Sequence, residues 1–254
     1  MWNPAEAPTR SPIPQVPQAP SSQAPGSPAP VASAAGEPTT PGHGNALGFT
    51  SAGGWRPATA THLQAYDVVV LAGGAARRFG GADKVLLPVA GRPMLERVLA
   101  AGAGARTTVV VGPRRPLPVA VRWTREDPPG SGPLAALAAG LSLCEAPITT
   151  VLAADMPMLD ETVVAALVEA ASADDVDGAV LTDDTGEQQP LAAAYRRQAL
   201  QDVLTTIGDP RDRPMRLLLR ALRLATVPNP RAALDCDTPD DLFHADRVAE
   251  QRLS

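Results

Sequence analysis

From Tyr66 to the C-terminus, short runs of β-branched and aliphatic residues alternate with longer alanine- and leucine-rich stretches. The runs DVVVLA (67–72), RTTVVVG (106–112), VAVRWT (119–124), ITTVLAA (148–154), DGAVLT (177–182), PLAAAY (190–195) and RLATVP (223–228) read as strands. Several are apolar at every position rather than at every second one, as strands buried between two layers of helix must be. Between them GRPMLERVLAAGAG, GPLAALAAGLSLC, DETVVAALVEAASA, RRQALQDVLTTIG, DRPMRLLLRALR and TPDDLFHADRVAEQ read as helices. Their ends carry the expected signals: proline in a first turn, an aspartate or threonine cap, glycine at a C-terminus. This rhythm predicts an α/β fold, a three-layer, Rossmann-like arrangement with a mostly parallel sheet, in one domain over residues 66–254.

Composition changes the picture only at the N-terminus. Residues 1–65 have no apolar period and hold twelve of the 28 prolines, so they are expected to be a disordered Pro/Ala/Gly-rich extension. The extension lacks the basic start and apolar stretch of a signal peptide, and no run of about 18 apolar residues occurs, so a cytoplasmic, soluble protein with no membrane partner is expected. Two cysteines, Cys144 and Cys236, are too few for a disulfide framework and suit a reducing compartment. A formal net charge of -5 without a basic run argues against a nucleic acid polymer as partner, though not against a nucleotide. A monomer is the expected state.

The candidate chemistry begins in the loop after the first strand, LAGGAARRFGGADK. A phosphate needs backbone N–H groups that side chains do not obstruct, and cations to offset its charge. Gly73, Gly74, Gly80 and Gly81 supply the first, Arg78 and Lys84 the second. The dinucleotide pattern G-x-G-x-x-G is not met, and the P-loop pattern fails because Val85 follows Lys84. Further on, DPPGSGPLA places Gly132, Pro133 and Leu134 at a helix start, where backbone can bind an anion or read a base edge. Asp155 directly follows a buried strand; it is either a helix cap or a metal ligand, and Asp160 is better placed for the cap. Hard carboxylate oxygens suit Mg²⁺, which is normally held by one or two carboxylates plus substrate phosphates. His43, His62 and His244 lie outside every motif, which disfavours histidine acid/base catalysis, and Ser131 has no neighbouring base.

The spacing L-A-G-G-x-x-x-R-F-G-G-x-D-K, followed in order by G-P-L-A, D-M-P and D-C-D-T-P-D-D-L, resembles the molybdenum cofactor guanylyltransferase family from about Val68 onward. The resemblance implies a nucleotide-diphospho-sugar transferase (GT-A-like) fold. It also implies that GMP passes from Mg·GTP to the terminal phosphate of molybdopterin, or of its molybdenum complex, with release of pyrophosphate. Under it Leu71, Ala72, Gly73 and Gly74 contact the nucleotide, Arg78 and Lys84 the triphosphate, and Asp127 the guanosine, while Asp155 holds Mg²⁺. The QPL segment at 189–191 would border the acceptor site, unless Pro190 and Leu191 merely begin an edge strand. Two departures stand out. Asp235 replaces the first asparagine of the N-x-[ND]-T-P-x-D-L segment common in the family, and Asp237 takes its second position, leaving Asp237 as a candidate second metal ligand. VVGPRR replaces an asparagine after the second strand, and Arg114 and Arg115 read as solvated surface. The other readings are a cytidylyltransferase for the same cofactor, whose relatives usually read L-A-A-G, a sugar-phosphate nucleotidyltransferase, and a nucleotide-binding regulator without turnover.

Overall fold

The computed structural model describes residues 63–74 and 82–251. Residues 1–62 of the expected N-terminal extension, and Arg78, Gly80 and Gly81 of the loop, lie outside the described residues. In chain order the elements are β1 (Tyr66–Leu71), a one-turn 3-10 helix (Lys84–Leu86), β2 (Pro88–Val89), β3 (Arg92–Pro93), α1 (Met94–Ala101), β4 (Thr108–Val111), β5 (Arg122–Thr124) and α2 (Pro133–Leu141). They continue with β6 (Ile148–Ala153), α3 (Glu161–Ala171), β7 (Gly178–Thr182), β8 (Gln188–Arg196), α4 (Arg197–Ile207), α5 (Arg216–Ala221), β9 (Leu224–Pro228) and α6 (Pro239–Glu250). No described helix is long and apolar enough to cross a membrane.

Seven strands form one sheet in the order β5-β4-β1-β6-β8-β7-β9, and β2 and β3 form a separate hairpin. β8 runs against both its neighbours, while the other pairings within the large sheet are parallel. The period-2 alternation of the buried strands serves both helix layers. Val68 and Val70 of β1, with Val110 and Leu152, pack against Leu95 and Val98 of α1 and Val164 and Leu167 of α3. Val69, with Val109 and Val151, faces Leu134 and Leu137 of α2, Leu200 of α4 and Leu218 of α5. Each fully buried leucine contributes about 1.5–3 kcal/mol relative to exposure.

β8 is an internal strand, so the edge-strand reading of its QPL segment does not hold. Its proline is accommodated by an irregularity: Val180 pairs with Ala193 but Leu181 pairs with Gln189, leaving Pro190 out of the ladder with β7.

Four contacts fix the site-bearing segments. Asp160 caps α3 by accepting from Val163 N at 3.0 Å, which leaves Asp155 free of the capping role. Thr238 and Asp241 form a capping box at the start of α6. α6 then packs on the β2–β3 hairpin in a third apolar cluster that includes Val89, Met94, Met158, Cys236 and Ala245. Asp246 of α6 also accepts from Ala90 N in the hairpin turn at 2.6 Å. The chain leaves β1 for β4 and β5 on one side and returns to β6 on the other. This reversal opens a crevice at the carboxyl ends of β1 and β6, the place where open α/β sheets bind ligands.

Candidate nucleotide and metal site

Two adjoining cavities occupy that crevice. The larger, about 460 Å³, is lined by Leu71, Gly73 and Gly74 of the first loop, Glu126, Gly130, Gly132 and Pro133 before and at the start of α2, Ala153, Asp155 and Leu191. The smaller, about 220 Å³, shares Leu71, Gly73, Gly74 and Asp155 and adds Ala72, Asp83, Lys84, Arg115 and Asp237. Gly132 adopts φ +89°, a conformation that L side chains rarely take, as the chain turns into α2. Leu134 points into the core beneath the cavity rather than into it.

In the smaller cavity the Lys84 ammonium donates to Asp155 Oδ2 at 2.8 Å and to Asp237 Oδ1 at 2.7 Å. Burial pulls its pKa down, but the hydrogen bonds and charges of Asp155 and Asp237 outweigh burial and hold the group above the ordinary lysine value. The two carboxylates approach each other because Cys236 N donates to the Asp155 carbonyl at 3.0 Å, docking the DCD segment beside the end of β6. Asp235 is exposed at its outer edge, yet desolvation on its inner side, then the charges of Asp237 and Asp155, raise its carboxyl above the usual range. Two carboxylates already converging on one cation form a donor set that fits Mg²⁺ once phosphate oxygens complete it. Among the described residues no three His, Cys, Asp or Glu side chains cluster to hold a metal unaided.

The larger cavity holds a carboxylate at the entrance to α2, and it is Glu126. One oxygen, Oε1, accepts from Gly130 N at 2.8 Å. Its other oxygen, Oε2, is shielded from solvent and has no hydrogen-bond partner among the described residues. Asp127, the residue expected to meet the guanosine, is exposed and absent from the cavity lining. The backbone alternation leading out of β5 turns Glu126 inward and Asp127 outward. Ser131 is buried and donates its hydroxyl to Pro128 O.

Arg114 is exposed, as expected. Arg115 is not: its side chain is 7% exposed and donates to both oxygens of Asp83, at 2.6 and 3.0 Å, and to the carbonyls of Ala72 and Pro113. The reading of Arg115 as solvated surface is therefore corrected. Gly112, the residue directly after β4, takes φ +146° and lies so close to the loop that a Cβ would stand 2.7 Å from Ala72 O.

The profile of the MobA-like NTP transferase domain matches residues 68–227, most of the described chain. The chain belongs to this family. Members similar to it include a probable molybdenum cofactor guanylyltransferase of Chloroflexus aggregans, 31% identical over 189 residues, covering 68% of this chain and 90% of the relative. A molybdenum cofactor guanylyltransferase of Bradyrhizobium sp. is 30% identical, covering 75% of this chain and 96% of the relative. Among solved structures, a nucleotidyl transferase of Methanothermobacter superposes with a TM-score of 0.60 at 22% identity, over 74% of this chain and 99% of the other. The molybdopterin-guanine dinucleotide biosynthesis protein A of Archaeoglobus fulgidus gives 0.57 at 22% identity, over 73% and 99%. The nucleotide-diphospho-sugar transferase fold expected from the motifs is thus the fold of this MobA-like nucleotidyltransferase.

Proposed function

We propose that this enzyme transfers GMP from Mg·GTP to the terminal phosphate of molybdopterin or its molybdenum complex. The observation that carries the reading is the pair of adjoining cavities joined by Leu71, Gly73, Gly74 and Asp155. The Glu126 carboxylate lines one end, and a lysine between two carboxylates lies at the other. The larger volume suits a nucleoside and the smaller one a polyphosphate.

Guanine presents an N1–H and an exocyclic amine side by side, and a carboxylate accepts both; cytosine offers one amine beside an acceptor nitrogen, which a carboxylate repels. A buried acceptor left unpaired by the wrong base costs affinity, so Glu126 favours GTP over CTP. We assign the guanosine contact to Glu126, which lines the larger cavity, whereas Asp127 does not. The acceptor assignment rests on the relatives named molybdenum cofactor guanylyltransferases. L-A-G-G and G-P-L-A at 71–74 and 132–135 also distinguish the chain from cytidylyl relatives.

In the reaction an oxygen of the acceptor phosphate bonds to the α-phosphorus of GTP. The bond from that phosphorus to the bridging oxygen breaks, and pyrophosphate leaves with the electron pair. The attacking phosphate arrives ionised, so no strong base is needed, and catalysis consists of positioning and charge neutralisation. Lys84 neutralises triphosphate charge, the open backbone at Gly73 and Gly74 admits the phosphates, and Asp155 and Asp237 would hold Mg²⁺. When bound, the ion supplies charge stabilisation at the phosphate oxygens. Arg78, from the same loop, is the second cation of the proposal. Pyrophosphate release from each of the four nucleoside triphosphates, with molybdopterin and with a panel of sugar phosphates, tests the reading. Release that depends on GTP and molybdopterin supports it, and preference for CTP or a sugar phosphate overturns it.

A further inference from the structure

Arg115 stands outside the motifs of the family, yet its nearly enclosed guanidinium borders the smaller cavity. Its Nε and Nη2 fork onto the two oxygens of Asp83. Its Nη1 donates to Ala72 O at 3.0 Å and to Pro113 O at 3.1 Å. Ala72 lies on the outgoing limb of the first loop, and Asp83 lies on the returning limb, one residue before Lys84. Asp83 also starts the 3-10 turn that carries Lys84, because its carbonyl accepts from Leu86 N at 3.0 Å. The guanidinium has five N–H groups and makes four hydrogen bonds here, while Asp83 neutralises its charge. Little of it remains to bind a phosphate.

We propose that Arg115 is a positioning residue that clamps the two limbs of the phosphate loop together and so holds Lys84 where a triphosphate enters. The clamp deepens the nucleotidyltransferase reading and rests on it. A rigid planar fork is needed to meet both Asp83 oxygens and a carbonyl at once, which a lysine cannot do. Gly112 makes the arrangement possible, since any side chain there would push the end of β4 away from Ala72.

A clamp and a phosphate-binding cation predict opposite signs for one substitution. Asp83→Asn removes a negative charge from the border of a polyanion site. If Arg115 bound phosphate directly, freeing it from Asp83 would tighten binding. If it clamps, the substitution loosens Lys84 and weakens binding, on the order of tenfold, because small misplacements of a binding group are costly. The experiment is calorimetric titration with inorganic tripolyphosphate, which has no base, and with GTP. The proteins are the unmodified chain, Asp83→Asn, Arg115→Lys, Arg115→Met and the double variant Asp83→Asn/Arg115→Met. The clamp predicts losses of about tenfold for each single variant, no rescue by lysine, and a double variant within about twofold of Arg115→Met. Asp83 is 41% exposed in its side chain, so Asp83→Asn is expected to melt within a few degrees of the unmodified protein while still losing affinity. Tighter or unchanged binding by Asp83→Asn, full retention by Arg115→Lys, or losses that multiply in the double variant would overturn the proposal. Tripolyphosphate binding with the predicted pattern in a protein that does not turn over GTP supports the clamp and counts against the proposed reaction. Turnover of GTP without the pattern does the reverse.

Discussion

Replacing Lys84 by alanine removes the ammonium that joins Asp155 and Asp237, and the structure allows its effect on GTP to be sized. In contact with a phosphate oxygen at ~3 Å, one unit charge is worth about 1.4 kcal/mol in a water-like medium and about 5.5 kcal/mol at an effective dielectric constant of ~20. The side chain is 16% exposed, which places it between those limits. It also gives up part of its pairing with the two carboxylates when it turns to phosphate, so the net value falls below the upper figure. A loss of about 3 kcal/mol, on the order of 10² in kcat/KM, is therefore expected. Pyrophosphate release at varied GTP measures it, with calorimetric GTP binding as the companion assay. Lys84→Arg keeps the charge and should recover part of the loss, whereas Arg114→Ala, at an exposed position, should change kcat/KM less than about twofold. The Lys84 pKa lies above its ordinary value of 10.5, so its contribution is complete below that pH and fades only as pH rises through the higher, folded-state value. A Lys84→Ala loss under about fivefold, or one matched by Arg114→Ala, would refute the placement of Lys84 at the triphosphate.

Other outcomes follow from the same geometry. Asp155→Asn keeps shape and removes charge, and should lower kcat by about 10² or more with a raised Mg²⁺ requirement; a near-normal rate in a Mg²⁺ titration would shift the metal site to Asp237 and Asp235. Gly112→Ala forces a Cβ to 2.7 Å from Ala72 O at φ +146° and should cost roughly 1–3 kcal/mol in urea unfolding; an unchanged midpoint would mean the contact relaxes freely. Thr238→Ala removes the α6 cap and should cost about 1 kcal/mol near neutral pH. The Thr238 hydroxyl, then backbone N–H groups, hold the Asp241 carboxyl below the usual range. This stabilisation is present above the ordinary value of 3.8 and is lost as pH falls through the folded-state pKa. The gap between Thr238→Ala and the unmodified protein should therefore narrow in acid, as thermal melts at stepped pH would show.

The strands of the large sheet were legible because a strand buried on both faces leaves an unbroken apolar run, as in VVVL at 68–71 and TVVV at 108–111. The β2–β3 hairpin was not, since two strands of two residues each give no period, and its turn at Ala90 and Gly91 is held by Asp246 from the far end of the chain. Lys84 and Asp155 could be picked out because each follows a strand or a glycine run in a recognisable motif. Arg115 could not, because PRR looks like any solvated turn and Asp83 lies 32 residues away in sequence. The signal that was present is Gly112 directly after VVV, which marks a close backbone approach. Glu126 and Asp127 cannot be told apart by residue type, and only the fold shows that Glu126 lines the cavity while Asp127 does not.

The proposed transfer of GMP onto molybdopterin is tested by pyrophosphate release with Mg²⁺ and each nucleoside triphosphate in turn, with and without molybdopterin. Release should require molybdopterin and run at least about tenfold faster with GTP than with CTP, ATP or UTP, a preference that Glu126→Gln erodes because an amide cannot accept at both positions. Faster release with CTP, or release indifferent to molybdopterin, would contradict it.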